Sequence, residues 1–399
     1  MNRVVIVDAK RTPFGRFRGA LATQSPVDLA VAAAEAMLTP INRSLVDQVI
    51  LGSVLSAGQG MNIARQVAVK LQLPLRTPAW SVNMMCGSGL QSALAAVTAI
   101  RAGEARVVLA GGTESMSQAP LLIARPGKGQ APDATAAVDC MQRDGLVDSF
   151  SDRHMGWQAE DLATRFQISR HTQDAFAYRS QQLCAAAQTA GRFADELVPL
   201  ADLIADQHPR PEVSRADLAA LQPVFDPAGS VTAGNASGVN DGAAVVLLAE
   251  REFALAHGWP VLAEWVAGVV VGVDPQEMGL GPVEAIKALL KRTGRQWESI
   301  DTLEINEAFA AQTLACLDQL GLSIDMATVN QHVTSPSGHQ LKFNSDGGAI
   351  AIGHPLAASG GRVLGHLAWK LARGESRSAI GSLCIGGGMG IAALLKAAS

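Results

Sequence analysis

Charge is scarce in this chain. Asp, Glu, Lys and Arg make up 17% of its 399 residues, and the net charge is only -4. So slight an imbalance excludes general nucleic-acid binding, although local basic residues can still meet an anionic ligand. Long apolar runs are absent too. The opening Val4-Val5-Ile6-Val7 is broken by Asp8, Lys10 and Arg11, so it reads as neither a signal peptide nor a membrane span. The five cysteines form no close pairs, so the expectation is reduced thiols in a cytoplasmic compartment rather than a disulfide framework. Cys140, Cys184 and Cys316 have no glycine around them and read as small apolar packing residues.

Alanine, glycine and valine are plentiful, which suits an α/β enzyme of two or three domains. Val4 to Val7 and Val49 to Leu51 read as buried strands, and Ser25 to Leu38 as a helix opened by Ser25 with Pro26 at its first position. Gly87 to Ile100 reads as an alanine-rich helix. The turn Arg101-Ala102-Gly103-Glu104 and the strand Arg106 to Ala110 follow it.

This order recurs in the second half. Val46 to Gly52 is echoed by Ile300 to Asn306 at an offset of 254, and Cys86 by His354 at an offset of 268. A helix near Ser359, the turn Arg373-Gly374-Glu375 and the strand Ala379 to Ile385 complete the echo. The offsets differ by 14, a surplus assigned here to the unusual segment Gln331 to Ser345. The division that follows is 1–118 with 241–261 as a first half, 119–240 as an inserted lobe, and 262–399 as a second half carrying the insertion 331–345. The lobe has a proline- and glycine-rich stretch and an amphipathic helix from Thr172 to Ala190, and Ala243 to Leu248 returns from it to the first sheet.

Three glycine-flanked stretches carry chemistry. Cys86 sits in Asn83-Met84-Met85-Cys86-Gly87-Ser88-Gly89, directly before a helix whose free N–H groups and dipole are expected to lower a thiol pKa. The alternative reading is a buried helix-capping cysteine. His354, between Gly353 and Pro355, is presented from a turn, and its place opposite Cys86 in the repeat marks it as a base. Cys384 ends an apolar strand and opens Gly386-Gly387-Gly388-Met389-Gly390, a turn suited to aiming N–H groups at a reacting oxygen. A nucleotide-binding glycine loop would need a helix and an acid downstream, and too little chain remains for them. No close-spaced ligand pair accompanies Cys86, His354 and Cys384, so no metal is expected.

With Asn306-Glu307-Ala308-Phe309-Ala310, Gly347-Gly348-Ala349-x-Ala351-x-Gly353-His354-Pro355, Thr232 to Gly238 and His154-Met155-Gly156 also in order, the chain resembles the thiolases from Val4 to Ala393. Within that family it looks most like the biosynthetic, acetoacetyl-CoA-forming type. The resemblance implies a duplicated five-layered α-β-α-β-α fold with an inserted loop domain. It implies Cys86 as the acetylated nucleophile, His354 as its base and Cys384 as the base that deprotonates a second acetyl-CoA. His354 and a water positioned by Asn306 would hold the enolate oxygen, and the N–H groups of Cys86 and Gly386 the tetrahedral oxyanion. Coenzyme A thioesters would be substrates, with no permanently bound cofactor. Ser237, Phe225, Ala308 and Phe309 would lie near the pantetheine, Met155 and Met278 at the acyl end, His154 and Leu146 nearby, and Arg210 by the 3'-phosphate. Homo-oligomers follow from the resemblance: a dimer on the core sheets, paired into a tetramer through an arm near Leu121 to Met141. A longer-chain 3-ketoacyl-CoA thiolase and a non-catalytic acyl-CoA carrier are the competing readings.

Two departures from the family pattern stand out. Val329-Asn330 is separated from Asp346-Gly347-Gly348, where the family runs Val-Asn-Val-Asn-Gly-Gly without a break. A hairpin of Thr328 to Val333 and Gln340 to Ser345 around Ser335-Pro336-Ser337-Gly338 is expected there. It would cap the acyl pocket, touch a neighbouring subunit or disturb the catalytic turn. Ala357 replaces a usual glycine, which is expected to tighten the backbone beside His354.

Overall fold

The computed structural model describes residues 2–398. Most of its strands form one path of hydrogen-bonded neighbours in which the same five-strand pattern occurs twice. The first set runs Val4–Arg11, Asn240–Glu250, Val107–Ser115, Gln48–Gly52, Ala79–Val82. The second runs Ala263–Gly272, Met389–Lys396, Ser378–Ile385, Thr302–Ile305, Gln340–Phe343. In each set the first two pairings are antiparallel and the last two parallel. The sets join where Val5 and Ile6 face Glu264 and Ala263.

Duplication explains the layering. Ser88–Ala102 and Ala358–Ala372, the equivalent helices of the two halves, pack with strand residues of both sheets in one apolar core and so form the middle layer. Pro26–Leu38 and Ile63–Lys70 cover the outside of the first sheet, and Gly281–Thr293 and Ala310–Gln319 the outside of the second. Strands covered on both faces are predominantly apolar, and Val107–Ser115 and Ser378–Ile385 are buried at every residue. Local signals set the helix ends as read from the sequence. Ser25 caps Pro26–Leu38 through the Asp28 N–H, and Gly103 closes Ser88–Ala102 in the left-handed region at φ +78°.

The middle helices cross closely enough that side chains are excluded. A Cβ on Gly89 would stand 2.4 Å from the Ala357 carbonyl oxygen, and one on Gly112 only 1.9 Å from it. Ala357 itself sits at φ -72°, ψ -24°, and its N–H donates to Glu114 Oε2 at 3.1 Å. The tightening expected from alanine at this position does not occur, because the backbone there is helical and any L-residue adopts it.

The stretch 331–345 departs from expectation. A hairpin forms, but it pairs only His332–Thr334 with Gln340–Phe343, through the Ser335–His339 turn. Its second strand is no addition, because it lies parallel to Thr302–Ile305 as the counterpart of Ala79–Val82. The offset between halves is 254 at Thr302, 261 at Gln340 and 270 at Ala358, so the surplus is spread on both sides of that strand. Asn344, not Asn330, bonds to the Ile305 backbone through both its amide atoms.

Candidate active site

Each reactive residue stands at the end of a core element. Ala79–Val82 leads into a turn in which Asn83 Oδ1 accepts from the Met85 N–H at 3.0 Å and Met85 takes φ +46°. Ser88 locks the turn by accepting from the Met84 N–H and donating to the Met85 carbonyl. Cys86 is thereby set just before the first middle helix, 5% exposed. A Cβ on Gly87 would meet Ile385 Cδ1 at 2.4 Å, so glycine allows the thiol turn to approach the Cys384 turn.

Cys384 closes the strand Ser378–Ile385, and Asn306 follows the adjacent strand Thr302–Ile305. Before His354, Gly353 takes φ +110°, a conformation that favours glycine. The His354 N–H donates to Asn240 Oδ1 at 2.9 Å, which ties the histidine turn to the strand returning from the lobe.

These elements converge on one cavity of about 370 Å³, mostly apolar in its lining. Cys86, His354 and Cys384 all line it. So do His154, Met155, Leu146, Phe225, Ser237, Met278, Ala308 and Phe309. Asn306 lies behind the imidazole, its Nδ2 3.5 Å from His354 Nδ1. The Gly386 N–H is close enough to Cys86 to lower its thiol pKa. A Cβ on Gly386 would stand 2.4 Å from Met155 Cε. Arg210 is exposed and lies outside the lining, although its charge reaches His208.

The lobe supplies the far wall. His154 caps the helix Met155–Arg165, accepting the Gly156 N–H at 3.0 Å, and stacks on Phe225 at 4.7 Å between ring centroids. Gly156 has no room for a side chain, since a Cβ would lie 2.0 Å from the Phe225 ring. The His-Met-Gly triplet is therefore a packing unit that places Met155 in the cavity. Opposite it, the Ser237 N–H donates to the Ala308 carbonyl at 2.9 Å and fixes the lobe to the Asn306 loop.

Burial dominates the electrostatics. The Cys86 thiol is pushed up to about 11 by desolvation, against the lowering effect of the N–H groups of Gly386 and of Cys86 itself. The expected helix-start activation is therefore outweighed, and the resting residue is a thiol. Burial raises Cys384 as well. His354 is pushed down to about 4, first by desolvation and then by Arg362, so it is a neutral imidazole able to accept a proton. A buried thiol and a neutral imidazole lining one cavity suit a proton transfer that accompanies attack by sulfur.

Several supporting residues escaped the sequence reading. Buried Glu114 accepts from the N–H groups of Val54, Leu55 and Ala357, joining one cavity wall to the histidine turn. Arg362 pairs with Glu304 inside the core and points Nη2 at Asn306 Oδ1, 3.5 Å away. Glu307 accepts from Ser180, Asn344 and the Ile350 N–H, holding the segment that leads to His354. A charged residue within an alanine- and glycine-rich helix, as Arg362 is, was the available signal.

Comparison with known proteins bears on this arrangement directly. The thiolase N-terminal domain matches residues 4–252 and the thiolase C-terminal domain residues 259–397. A probable acetyl-CoA acetyltransferase of Escherichia coli is 44% identical over 99% of both chains, and an acetyl-CoA acetyltransferase of Pseudomonas aeruginosa is equally similar. Human mitochondrial 3-ketoacyl-CoA thiolase, solved in complex with CoA, superposes with a TM-score of 0.91 at 39% identity, covering 100% of this chain and 98% of the other. The Bacillus anthracis acetyl-CoA acetyltransferase gives 0.92 at 36% identity, covering 100% and 99%. Domain matches along nearly the whole chain, close relatives of equal length and a doubled fold with both cysteines and the histidine at one cavity have a single consequence: this chain belongs to the thiolase family.

Proposed function

We propose that the protein is an acetyl-CoA C-acetyltransferase, joining two acetyl-CoA molecules into acetoacetyl-CoA and CoA and catalysing the reverse thiolysis. The observation that carries this reading is the convergence of Cys86, His354 and Cys384 on one cavity. The names of the E. coli and P. aeruginosa relatives support the choice of acetyl group.

In the first half-reaction the Cys86 proton passes to His354 and the sulfur attacks the acetyl carbonyl. A bond from Cys86 sulfur to carbonyl carbon forms, the bond from that carbon to the CoA sulfur breaks, and the departing thiolate takes its proton from Cys384, which becomes a thiolate while His354 keeps the Cys86 proton. The N–H groups of Cys86 and Gly386 receive the carbonyl oxygen while it carries charge. In the second half-reaction the Cys384 thiolate takes a methyl proton from a second acetyl-CoA. Protonated His354 and a water positioned by Asn306 stabilise the enolate oxygen. The carbanion attacks the acetyl carbon, the bond from that carbon to Cys86 breaks, and the released Cys86 thiolate takes its proton back from His354. Both thiols have raised pKa values, so neither becomes a thiolate without a partner to take its proton.

The pantetheine would run past Ser237, Phe225, Ala308 and Phe309, with Met155 and Met278 at the acyl end, His154 and Leu146 beside them and Arg210 outside to meet the 3'-phosphate. The functional division is 1–118 with 241–261, the lobe 119–240, and 262–399. A cytoplasmic homo-oligomer completes the reading. The unpaired edge strand Ala79–Val82 with Trp80, and exposed Leu75 and Met61 nearby, supports a dimer built on the core sheets. Exposed Leu121 and Val138 on the small hairpin support its pairing into a tetramer. Thiolysis rates with acetoacetyl-CoA and a C8 3-ketoacyl-CoA test the substrate assignment. Preference for the short substrate is expected, and a strong preference for C8 contradicts it.

A further inference from the structure

His354 can serve as base only if the nitrogen presented to the thiol lacks a proton, and imidazole has two neutral tautomers. The groups around Nδ1 decide between them. Ser359, in the first turn of Ala358–Ala372, is buried beside the ring, with Oγ 2.5 Å from His354 Nδ1 and 2.9 Å from the Pro355 carbonyl oxygen. A serine hydroxyl has one proton, and a carbonyl oxygen only accepts. The Pro355 carbonyl is placed to accept that proton, which leaves Oγ to meet Nδ1 as an acceptor and favours the Nδ1–H tautomer.

We propose that Ser359 is a positioning residue that holds His354 in its Nδ1–H tautomer, leaving Nε2 free to take the Cys86 proton. The proposal rests on the reading of His354 as the base in the acetylation step.

One neighbour pulls the other way. A guanidinium only donates, so Arg362 near Asn306 Oδ1 turns the Asn306 Nδ2–H group toward Nδ1 and favours the opposite tautomer. The separations decide between them. At 3.5 Å the amide is beyond good hydrogen-bond range, whereas the serine contact is short and strong. Across the ring, Nε2 is buried and makes no hydrogen bond among the described residues. The ring is further held from behind by the His354 N–H bond to Asn240.

The test is ¹⁵N NMR at pH 7 on protein labelled in histidine, with the His354 signals assigned by their loss in His354→Gln. Protonated Nδ1 and unprotonated Nε2 are expected, and protonated Nε2 overturns the proposal even if no Ser359 variant folds. In Ser359→Ala the tautomer preference should weaken and single-turnover acetylation of Cys86 should slow about 10-fold or more, well short of the roughly 10⁴-fold seen when a triad histidine is locked in the wrong tautomer. The acetyl-CoA concentration giving half the maximal rate should not change. Ser359→Thr, which retains a hydroxyl, should recover most of the rate. A slower Ser359→Ala protein with unchanged tautomer, or an unchanged rate, overturns the proposal. Failure of the underlying reading looks different, as Cys86 in the unaltered protein would not be acetylated at all.

Discussion

Gly89 and Gly361 meet backbone to backbone where the two middle helices cross: a Cβ on Gly89 would lie 2.8 Å from the Gly361 nitrogen. Gly360 repeats the contact, with a Cβ falling 2.3 Å from the Leu90 nitrogen. Cys86 and His354 stand at the near ends of these helices, so the crossing sets their separation. Gly89→Ala must push the helices apart because only backbone surrounds the site. The expected cost is about 2–3 kcal/mol, measured as a lower denaturation midpoint. Acetylation of Cys86 should slow in the fraction that stays folded, and an unchanged midpoint would show that the crossing yields freely.

Asn306→Ala removes a buried amide beside His354 while leaving Cys86 and its two backbone donors in place. Condensation should fall about 10²-fold or more, the usual cost of losing one donor to a developing oxyanion. Cys86 acetylation, which does not use this donor, should change far less. Equal losses in both steps would argue that Asn306 shapes the whole site rather than serving the enolate.

The pH response follows from burial. His354, held down to about 4, is neutral throughout the range where a free histidine titrates. Cys86 acetylation should therefore show no inflection near pH 6.5 and should fall only as pH drops toward 4. Glu114, raised to about 7 by burial, titrates within the same range, so rates are compared with those of Glu114→Gln. An inflection near 6.5 that survives in that variant contradicts a neutral buried His354.

His366 behaves oppositely. Both ring nitrogens face carboxylates, Glu196 Oε2 at 2.8 Å and Asp346 Oδ2 at 3.1 Å, which favours the imidazolium despite burial and raises its pKa to about 9. A pKa raised on folding contributes stability below about pH 6.5 that is lost as pH climbs through about 9, with an upper bound on the order of 3 kcal/mol. The unfolding midpoint should decline over that interval, and the decline should flatten in His366→Gln. An identical slope in the variant would place the effect elsewhere.

The duplication and the three glycine-flanked turns were legible in the sequence because they are written in local signals: caps, glycines and apolar runs. Val107–Ser115 and the strand containing Ala243 to Leu248 could be found for that reason. The strand Gln340–Phe343 was read as part of an added hairpin because Val329-Asn330 imitates a pair of residues whose structural role belongs to Phe343-Asn344. Only the parallel pairing with Thr302–Ile305, a non-local fact, separates the two. Glu114, Ser359 and Arg362 went unnoticed because a lone polar residue says little until its partners, often more than 50 residues away, are known. The thiol pKa was misjudged in direction because a helix start is visible in sequence and complete desolvation is not.

Mass spectrometry of the protein after brief mixing with acetyl-CoA, followed by peptide mapping, tests the central claim most directly. The account predicts one acetyl group, on Cys86, formed together with free CoA and removed when CoA is added back. An unmodified Cys86 under these conditions, or acetylation confined to another residue, would contradict it.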